Sequence, residues 1–380
     1  MIRWFADLRP RRPWMPAVTG ALAGLIALAL ATLSPQVVSF EHSISKVRTF
    51  LLSTRPAHAV ADVVIVYVDE KSLAPYPYLT PIDRAHLSAV LEKIAAAKPR
   101  VIAIDILFDR ASEPAKDEHL AQVLRALAVP VVLAFDGSDT IRSFEREFKS
   151  ASGRPGGYAD LATTGSDVTH VPPSIRGQCS FAELTVAQSM RRDCAPSKFY
   201  RRIDWLLEPH DGSQTFLQIP SSYVLSHANP AFLRGKIVLL GGQFRGVDRH
   251  ATPTAKDDDT PGIWIQAQII QQILDARARH DLGAVGEGIA SLAAGALGAL
   301  VAAHRFSRAR GALVATVSGL GIIGLDIALY LLCRVALPGD LILFAFSLGF
   351  LWNTLLENQR ARGLDYALKS AVGLEDTCAV

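Results

Sequence analysis

The sequence lacks the short motifs by which common hydrolase and nucleotide-binding classes are recognised. It contains no Gly-x-Ser-x-Gly nucleophile turn and no His-Glu-x-x-His zinc pair. The turn GGQFRG at 241–246 follows an apolar run, as phosphate loops do, but it has no Gly-Lys-Ser/Thr. The acidic run 257–259 lacks the spaced oxygen ligands of a calcium loop. We therefore predict no catalytic residue, no cofactor and no bound metal.

Concentrated basic charge is also missing. The 39 Lys and Arg residues nearly balance the 36 Asp and Glu residues, and the net charge is +3. No segment forms the basic face that nucleic-acid binding requires, so a nucleic-acid partner is not predicted. The short basic runs lie beside apolar segments, where such residues set the orientation of a membrane protein.

Cysteine is scarce, and the spacing of the four cysteines fits neither a zinc knuckle nor a redox pair. Cys179 and Cys194 both lie in the polar middle of the chain. Two states remain open for them: a disulfide, which an oxidising compartment would preserve, or two free thiols. We predict the disulfide, on condition that this region is periplasmic.

Long apolar runs are abundant by contrast, and half of all residues are hydrophobic. The first run, 15–34, has no charged residue and is long enough to cross the hydrocarbon core as a helix. Four arginines in 1–14 precede it, and basic flanks stay in the cytoplasm. A cleaved signal peptide is the alternative, but the run is long for one and no small-x-small cleavage site follows it directly. We predict an uncleaved transmembrane helix after a cytoplasmic segment 1–14.

Three further apolar runs crowd the C-terminal part, and their flanks indicate one orientation. Basic residues between the first two runs and in the tail 357–380 predict that both segments are cytoplasmic. The segment 35–281 then lies in the periplasm, and both termini lie in the cytoplasm. Asp326 falls within an apolar run, where we predict an interhelical hydrogen bond rather than a proton-linked site. With the first run the sequence predicts four transmembrane helices, of which the last three are 282–303, 311–333 and 335–356.

The periplasmic region alternates strand and helix patterns, which is typical of an α/β fold with a parallel or mixed sheet and flanking helices. β-branched apolar runs predict buried strands, and apolar residues at helical spacing predict the helices between them. Thr80 and Pro81 are typical of a helix start. The stretch 136–173 is rich in Gly, Ser, Thr and Asp and is predicted as loop with short edge strands. Predicted strands are 62–68, 101–107, 129–135, 201–207 and 236–240, and predicted helices are 83–97, 117–127, 181–190 and 264–276.

Carboxylates stand at or just beyond the ends of several predicted strands. Ligands of open parallel sheets bind outside the carboxyl ends of the strands, so carboxylates there would suit a cation or a small ligand. Capping and turn formation by short polar side chains explain the same pattern, and the sequence leaves both readings open. The candidate ligand-binding residues are Asp69, Glu70, Asp105, Asp109 and Asp248.

The middle region resembles the second type of CHASE domain, an extracytoplasmic sensor of bacteria. The resemblance rests on four segments in the family's order: DVVIVYVDEKSL (62–73), PRVIAIDILFD (99–109), LRGKIVLLGG (233–242) and VDRHATPTAKDDDTPGIWIQAQIIQQIL (247–274). One transmembrane helix before the domain and three after it are also similar to the family. Gln266 stands where the family commonly has His, so a site that depended on that His would be altered.

The resemblance implies a membrane-bound bacterial sensor. Family members usually continue into a cyclase, kinase or similar output domain, whereas 24 residues follow the last predicted span here. We therefore expect a sensor that signals through its transmembrane helices to a separate output protein. Its expected partners are an extracytoplasmic ligand, membrane lipid, that output protein and a second copy of the chain. The alternative is a membrane-anchored periplasmic enzyme or transport-associated component.

The predicted orientation can be tested with fusion reporters. A reporter that is active only outside the cytoplasm, fused after Gly137, should be active, because Gly137 lies in the predicted periplasmic region. A reporter that is active only in the cytoplasm should be silent there and active at the C-terminus. The reverse pattern would overturn the predicted topology.

Overall fold

The structure is a computed structural model that forms two compact units. The first, called the membrane unit below, comprises residues 1–45 and 280–380, and the second, the α/β unit, comprises residues 46–279. The N-terminal arginines, Asp257 and Asp258, and part of the predicted basic loop at 305–307 lie outside the described residues. Residues 14–33, 45–137, 143–164, 166–227, 230–255, 259–304 and 308–376 are described.

Strands alternate with helices in the α/β unit, and helices dominate the membrane unit. The helices are α1 (Met15–Leu33), α2 (45–52), α3 (Arg84–Ala96), α4 (Pro114–Ala126), α5 (Ser143–Ser152), α6 (Phe181–Ser189), α7 (Ser221–Ser226), α8 (Gly262–Leu274), α9 (Gly283–Ala303), α10 (Arg308–Ala328) and α11 (Gly339–Asp376). The strands are β1 (Val60–Val68), β2 (Val101–Asp105), β3 (Val131–Phe135), β4 (Gly156–Tyr158), β5 (Ala162–Thr164), β6 (Asp167–Val171), β7 (Arg201–Arg202), β8 (Phe216–Pro220), β9 (Ile237–Gly242), β10 (Arg249–His250), β11 (Thr260–Pro261), β12 (His280–Asp281) and β13 (Val335–Ala336).

Helices long and apolar enough to cross a membrane occur three times among the described residues, not four times as the sequence predicts. The apolar stretch of α1, Met15–Ala31, is the shorter fourth. Val335 and Ala336, predicted to begin the last span, form β13 instead. Pro338 follows them and cannot continue a helix from before it, so α11 begins one residue later. The three candidate spans are Gly283–Ala303, Arg310–Cys333 and Gly339–Gly363.

Small residues let the helices of the membrane unit approach closely. Ser291 Oγ donates a hydrogen bond to the backbone oxygen of Gly24 at 2.9 Å. A Cβ atom at Gly24 would lie 2.5 Å from the backbone oxygen of Ser291. One at Gly298 would clash with the backbone of Phe346 in α11. Lipid tails are as apolar as these helices, so close packing and hydrogen bonds hold the helices together.

A short ladder joins two links of the membrane unit. β12 pairs in parallel with β13, and the N–H of His280 donates to the backbone oxygen of Arg334 at 3.0 Å. The link before α9 and the link between α10 and α11 therefore lie on the same side of these helices. A Cβ atom at Gly339 would lie 2.9 Å from Asp326 Oδ2, which places the Asp326 carboxyl at the N-terminus of α11. The positive end of the helix dipole favours a carboxylate there.

The α/β unit is built on a six-stranded parallel sheet with the order β4-β3-β2-β9-β1-β8. The predicted parallel sheet with flanking helices is confirmed. Helices cover both faces of such a sheet, which explains why β1, β2, β3 and β9 are continuous apolar runs. The edge strand β8 has the sequence FLQIP, which lacks such a run, and the sequence did not predict it.

Two hydrophobic clusters lie on opposite faces of the sheet. On one face α3, α4, α5 and α7 pack through residues such as Leu87 and Leu120. On the other face α6 and α8 pack through residues such as Phe181 and Ile265. Alternate residues of β1 belong to the two clusters, because successive side chains of a strand point to opposite faces. The helix that follows each strand therefore packs on one of these two faces.

Thr80 and Pro81 do not start the first helix, whereas the predicted span 83–97 matches α3 to within one residue at each end. α3 begins after Asp83, three residues beyond Thr80. The Asp83 carboxylate accepts the backbone N–H groups of Ala85 at 2.9 Å and His86 at 3.2 Å, and it accepts Lys116 Nζ at 2.7 Å. A carboxylate that satisfies two orphan donors is a stronger N-cap than a threonine followed by proline.

Two other predictions differ from the structure. The predicted loop 136–173 contains α5, whose Phe144 and Phe148 stack with ring centroids 5.9 Å apart. Of the predicted strand 201–207, only β7 pairs with another strand, because the residues after it bond to side chains of α8. Long-range packing, which a local pattern cannot show, decides both cases.

A disulfide joins Cys179 to Cys194, 15 residues apart, around helix α6. Closing a loop of about 15 residues stabilises a fold by roughly 3 kcal/mol in the chain-entropy account. Its persistence in the cell depends on an oxidising compartment, which stays a prediction.

The close contact between α1 and α9 gives a test of the membrane unit. Gly24→Leu should destabilise it by about 1–3 kcal/mol, the usual effect of overpacking, because a side chain there meets the α9 backbone. Gly321→Leu is the matched control, since nothing lies within 4 Å of a Cβ atom at Gly321. Thermal unfolding of the full chain in detergent should show a lower midpoint for Gly24→Leu only. Equal midpoints would contradict the packing.

Candidate functional site

A cavity of about 530 Å³ opens at the carboxyl edge of the sheet. It lies beyond β2 and β9, which are neighbours, and β2 leads to α4 on one face whereas β9 leads to α8 on the other. Parallel strands whose connections diverge in this way leave a crevice between them, and open α/β sheets bind their ligands in such crevices. The cavity is therefore where the fold alone would place a binding site.

Three polar side chains converge on the inner part of the cavity: Asp105, Asp248 and His250. Asp105 is the last residue of β2, and no hydrogen-bond donor reaches its carboxyl group among the described residues. Asp248 follows β9 in a left-handed conformation with φ of 50° and bonds His250 Nε2 through Oδ1 at 2.9 Å. Its backbone oxygen accepts the N–H of Gly262, the first residue of α8, at 3.0 Å.

Two glycines allow the carboxyl groups to lie this close to the backbone. A Cβ atom at Gly262 would lie 2.6 Å from the carboxyl carbon of Asp248. A Cβ atom at Gly241 would lie 2.9 Å from the backbone oxygen of Asp105 and 2.8 Å from Ile263 Cδ1. A side chain at Gly262 would displace the Asp248 carboxyl group, and one at Gly241 would clash with the backbone of β2.

Burial dominates the electrostatics of the site. It raises the pKa of Asp105 to about 8, the charge of Asp248 adds to the rise, and His250 opposes it. The hydrogen bond to Asp248 raises the pKa of His250 above its ordinary value, against the effect of burial. Burial also raises the pKa of Asp160, although the backbone N–H of Gly137 donates to its carboxylate at 2.9 Å. Two carboxyl groups of the cavity are thus held where their negative charge is poorly stabilised.

The cationic side chains at the cavity are each engaged with oxygen acceptors. Arg84 is buried, and its Nε donates to Asp117 Oδ1 at 3.1 Å. Its two other nitrogens donate to the backbone oxygens of Ile82 and Arg110, both at 3.1 Å. The Arg110 guanidinium lies 3.3 Å from Asp109.

A model of the CHASE2 domain family matches residues 22–302. The chain belongs to the CHASE2 family. CHASE2 is a family of sensor domains, so the resemblance of the four sequence segments is confirmed. No curated protein and no solved structure matches the chain.

The CHASE2 fold brings together only some of the predicted site residues. Asp105, Asp109 and Asp248 line the cavity. Asp69 does not line it among the described residues, and its Oδ1 accepts the N–H and hydroxyl of Ser72 at 2.8 Å and 2.5 Å. Glu70 is likewise outside the lining. The N–H of Arg245 donates to its carboxylate at 2.9 Å and lowers its pKa.

The sequence did not predict four polar residues of the cavity. Asp136 and Asp160 fall in the stretch predicted as loop, and Gln266 and His250 were not assigned to a site. The sequence signal for His250 was its position two residues after the candidate Asp248. Among the described residues no group of three His, Cys, Asp or Glu side chains could hold a metal ion.

Helix α8 connects the cavity of the CHASE2 domain with the last residues of the α/β unit. At its start Gln266 lines the cavity and donates to the Ala159 oxygen at 2.9 Å. Gln268 accepts from the N–H of Leu206 at 2.9 Å and donates to the oxygen of the same residue at 3.0 Å. Gln272, one turn later, accepts from the N–H of Asp204 at 3.0 Å. The buried glutamine side chains thus make the hydrogen bonds that a neighbouring strand would otherwise make with this segment.

The C-terminal end of α8 is fixed by a buried ion cluster. The Asp204 carboxylate lies 2.9 Å from Arg279 Nη2 and 3.4 Å from Arg277 Nη1, and all three side chains are buried. Arg279 is the last residue of the α/β unit. The ion cluster therefore ties the end of α8 to the residues at which the chain leaves the α/β unit.

The raised pKa of Asp105 predicts how stability depends on pH. Its folded-state value of about 8 lies above the ordinary value of 3.8. The folded protein therefore keeps a proton that the unfolded chain releases, and stability falls as pH rises between these values, by at most about 1.4 kcal/mol per pH unit. Asp105→Asn removes this titration, so the variant should gain stability relative to the wild type as pH rises from about 5 to 8.

Thermal unfolding of the full chain across this pH range measures the effect. Asp62→Asn is the control, since that carboxylate is exposed and pairs with Arg100 at the surface. A constant difference between Asp105→Asn and the wild type across the range would contradict the raised pKa of Asp105.

Proposed function

We propose that this chain is a membrane-bound sensor that binds a small ligand outside the cytoplasm and signals through its membrane helices to a separate output protein. The single observation that carries the proposal is the cavity at the strand ends, whose wall includes the start of α8. The same helix leads to Arg279, the last residue before the membrane unit. A sensor needs both a site and an element that passes on the state of that site.

The ligand carries a positive charge or strong hydrogen-bond donors in this proposal. Five aspartates line the cavity, and its three cationic side chains already bond oxygen acceptors. Burial raises the pKa of Asp105 and Asp160, and a cation beside a carboxylate reverses such a shift. The rings of Phe135 and Phe244 also line the cavity and suit the apolar part of an organic amine. A small organic amine is therefore the favoured ligand class.

The topology in this proposal has four crossings, with 35–281 in the periplasm and both termini in the cytoplasm. Support for α1 as the additional crossing comes from its 19 uncharged residues and its hydrogen bond with Ser291 of α9. A helix of 19 residues is about 28 Å long, close to the thickness of the hydrocarbon core. The β12–β13 ladder supports the α9–α10 hairpin, because it keeps the two ends of that hairpin together.

The output in this proposal passes through α11. This helix runs without a break from Gly339 to Asp376, whereas its apolar stretch ends at Gly363. The predicted cytoplasmic tail, 357–380, is therefore largely a continuation of the last span. A helix transmits rotation or translation along its axis, and a continuous one needs no additional joint between the membrane and the partner.

Thermal shift measurements on the full chain in nanodiscs test the ligand class. A panel of organic amines and a matched panel of organic carboxylates and phosphates are the probes. A ligand that binds only the folded state at 100 times its Kd stabilises by about 2.7 kcal/mol. At least one amine should raise the unfolding midpoint, more strongly at pH 8 than at pH 6, because ionised Asp105 is the form that binds a cation.

Asp105→Asn should abolish the shift, and Asp62→Asn should keep it. Stabilisation by anions alone, or by amines regardless of Asp105→Asn, would contradict the proposed site. Turnover of a bound amine by the purified chain would instead favour a periplasmic enzyme.

A further inference from the structure

We propose that α2 and the aromatic pair Phe199 and Tyr200 form an interfacial patch that lies against the lipid headgroups of the membrane. The patch comprises Val47, Phe50, Leu51, Phe199 and Tyr200. This goes beyond the proposed function, since it concerns how the α/β unit contacts the bilayer and not what it binds in its cavity.

The helix α2 is amphipathic, but it exposes its apolar residues and buries its polar ones. Its apolar residues Val47, Phe50 and Leu51 are 57%, 42% and 67% exposed. The polar residues Arg48 and Thr49 are 9% and 3% exposed. A helix on the surface of a soluble protein buries its apolar stripe and exposes its polar one. The arrangement of α2 suits a medium that is apolar on the outside of the protein.

The exposed residues of α2 share one helical face. Phe50 and Leu51 stand three and four positions after Val47, which is the spacing of neighbours on a helix surface. Single exposed apolar residues are ordinary, but a stripe at this spacing marks a surface that contacts protein or membrane.

Phe199 and Tyr200 extend this apolar surface. They are 79% and 65% exposed. The Tyr200 ring lies 6.5 Å from that of His170 in β6, and Lys46 at the start of α2 lies 3.6 Å from Asp167, the first residue of the same strand. Three residues of a strand span about 10 Å, so the two parts of the patch flank β6 closely.

The chain leaves the α/β unit close to the patch. The segment that carries Tyr200 follows α8 towards its C-terminus, since Leu206 bonds Gln268 whereas Arg202 bonds Gln272 one turn later. Tyr200 stands two residues before Arg202 and four before Asp204, the residue that pairs with Arg279. The candidate span begins at Gly283, and four residues reach at most about 14 Å.

The patch also includes the first residues of the α/β unit. α2 is the first element of the α/β unit after α1, and Thr54 just beyond it pairs with Leu206. The exposed apolar residues therefore lie on the first helix of the α/β unit and on the segment that runs beside its last helix. Tyr and other aromatic side chains concentrate at the membrane–water interface, where an apolar body and a polar tip are both satisfied. The bilayer surface is thus the occupant that the position and the chemistry of the patch favour.

Spin-label accessibility in the full chain tests the patch. Leu51→Cys and Phe199→Cys are labelled in a Cys333→Ser, Cys378→Ser background and reconstituted in lipid nanodiscs. Oxygen partitions into the bilayer, and a charged nickel complex stays in water. The ratio of oxygen to nickel collision rates should be several-fold higher at 51 and 199 than at the control Tyr223→Cys. Tyr223 is 44% exposed and lies on α7, on the opposite face of the sheet from α8.

Ratios at 51 and 199 equal to that at 223 would overturn the proposal. Protection from both reagents at 51 and 199 would also overturn it, because a second copy of the chain or another protein would then cover the patch. Neither result bears on the cavity, whose ligand is tested separately by the thermal shifts.

Discussion

The contact between α8 and the extended segment 202–206 is the interaction on which the rest of the α/β unit depends. Buried glutamines at 268 and 272 take up backbone N–H and oxygen groups that would otherwise be buried without partners. Leaving such a group unsatisfied costs about 1–3 kcal/mol. These bonds fix the position of α8 along its axis, which in turn places Gly262 against Asp248 and Gln266 at the cavity.

The same helix is held differently at its two ends. At the C-terminal end Asp204 pairs with two buried arginines, and a buried ion pair that loses one partner leaves an uncompensated charge. At the N-terminal end the neighbours are Asp248 and Asp105, and burial raises the pKa of Asp105. We propose that, with a rigid anchor at one end and a titratable contact at the other, α8 passes a change at the cavity to the point where the chain leaves the unit.

Much of this architecture follows from local sequence. The sequence shows continuous apolar runs at β1, β2, β3 and β9, which are typical of a sheet covered by helices on both faces. It also shows Asp105 and Asp248 at or beyond strand ends, where the ligands of open α/β sheets bind. The polar pattern of a strand end does not distinguish a site from a cap, and Asp69 proved to be a cap for Ser72. His250, Asp160 and Gln266 reach the cavity through loops and a helix whose positions depend on long-range packing. The exposed apolar face of α2 cannot be recognised from the sequence, because the sequence does not show which residues are buried.

Hydrogen exchange at the junction between the two units tests the central claim most directly. The N–H of His280 donates to the Arg334 oxygen, so its exchange rate reports on the β12–β13 ladder. Asp105→Asn imposes a fixed neutral state at the cavity without touching the junction. If α8 couples the two, the variant in nanodiscs should change the exchange rates of α8 residues, of 275–279 and of His280 relative to the wild type. Changes confined to the cavity loops, with α8 and His280 unaltered, would contradict the coupling.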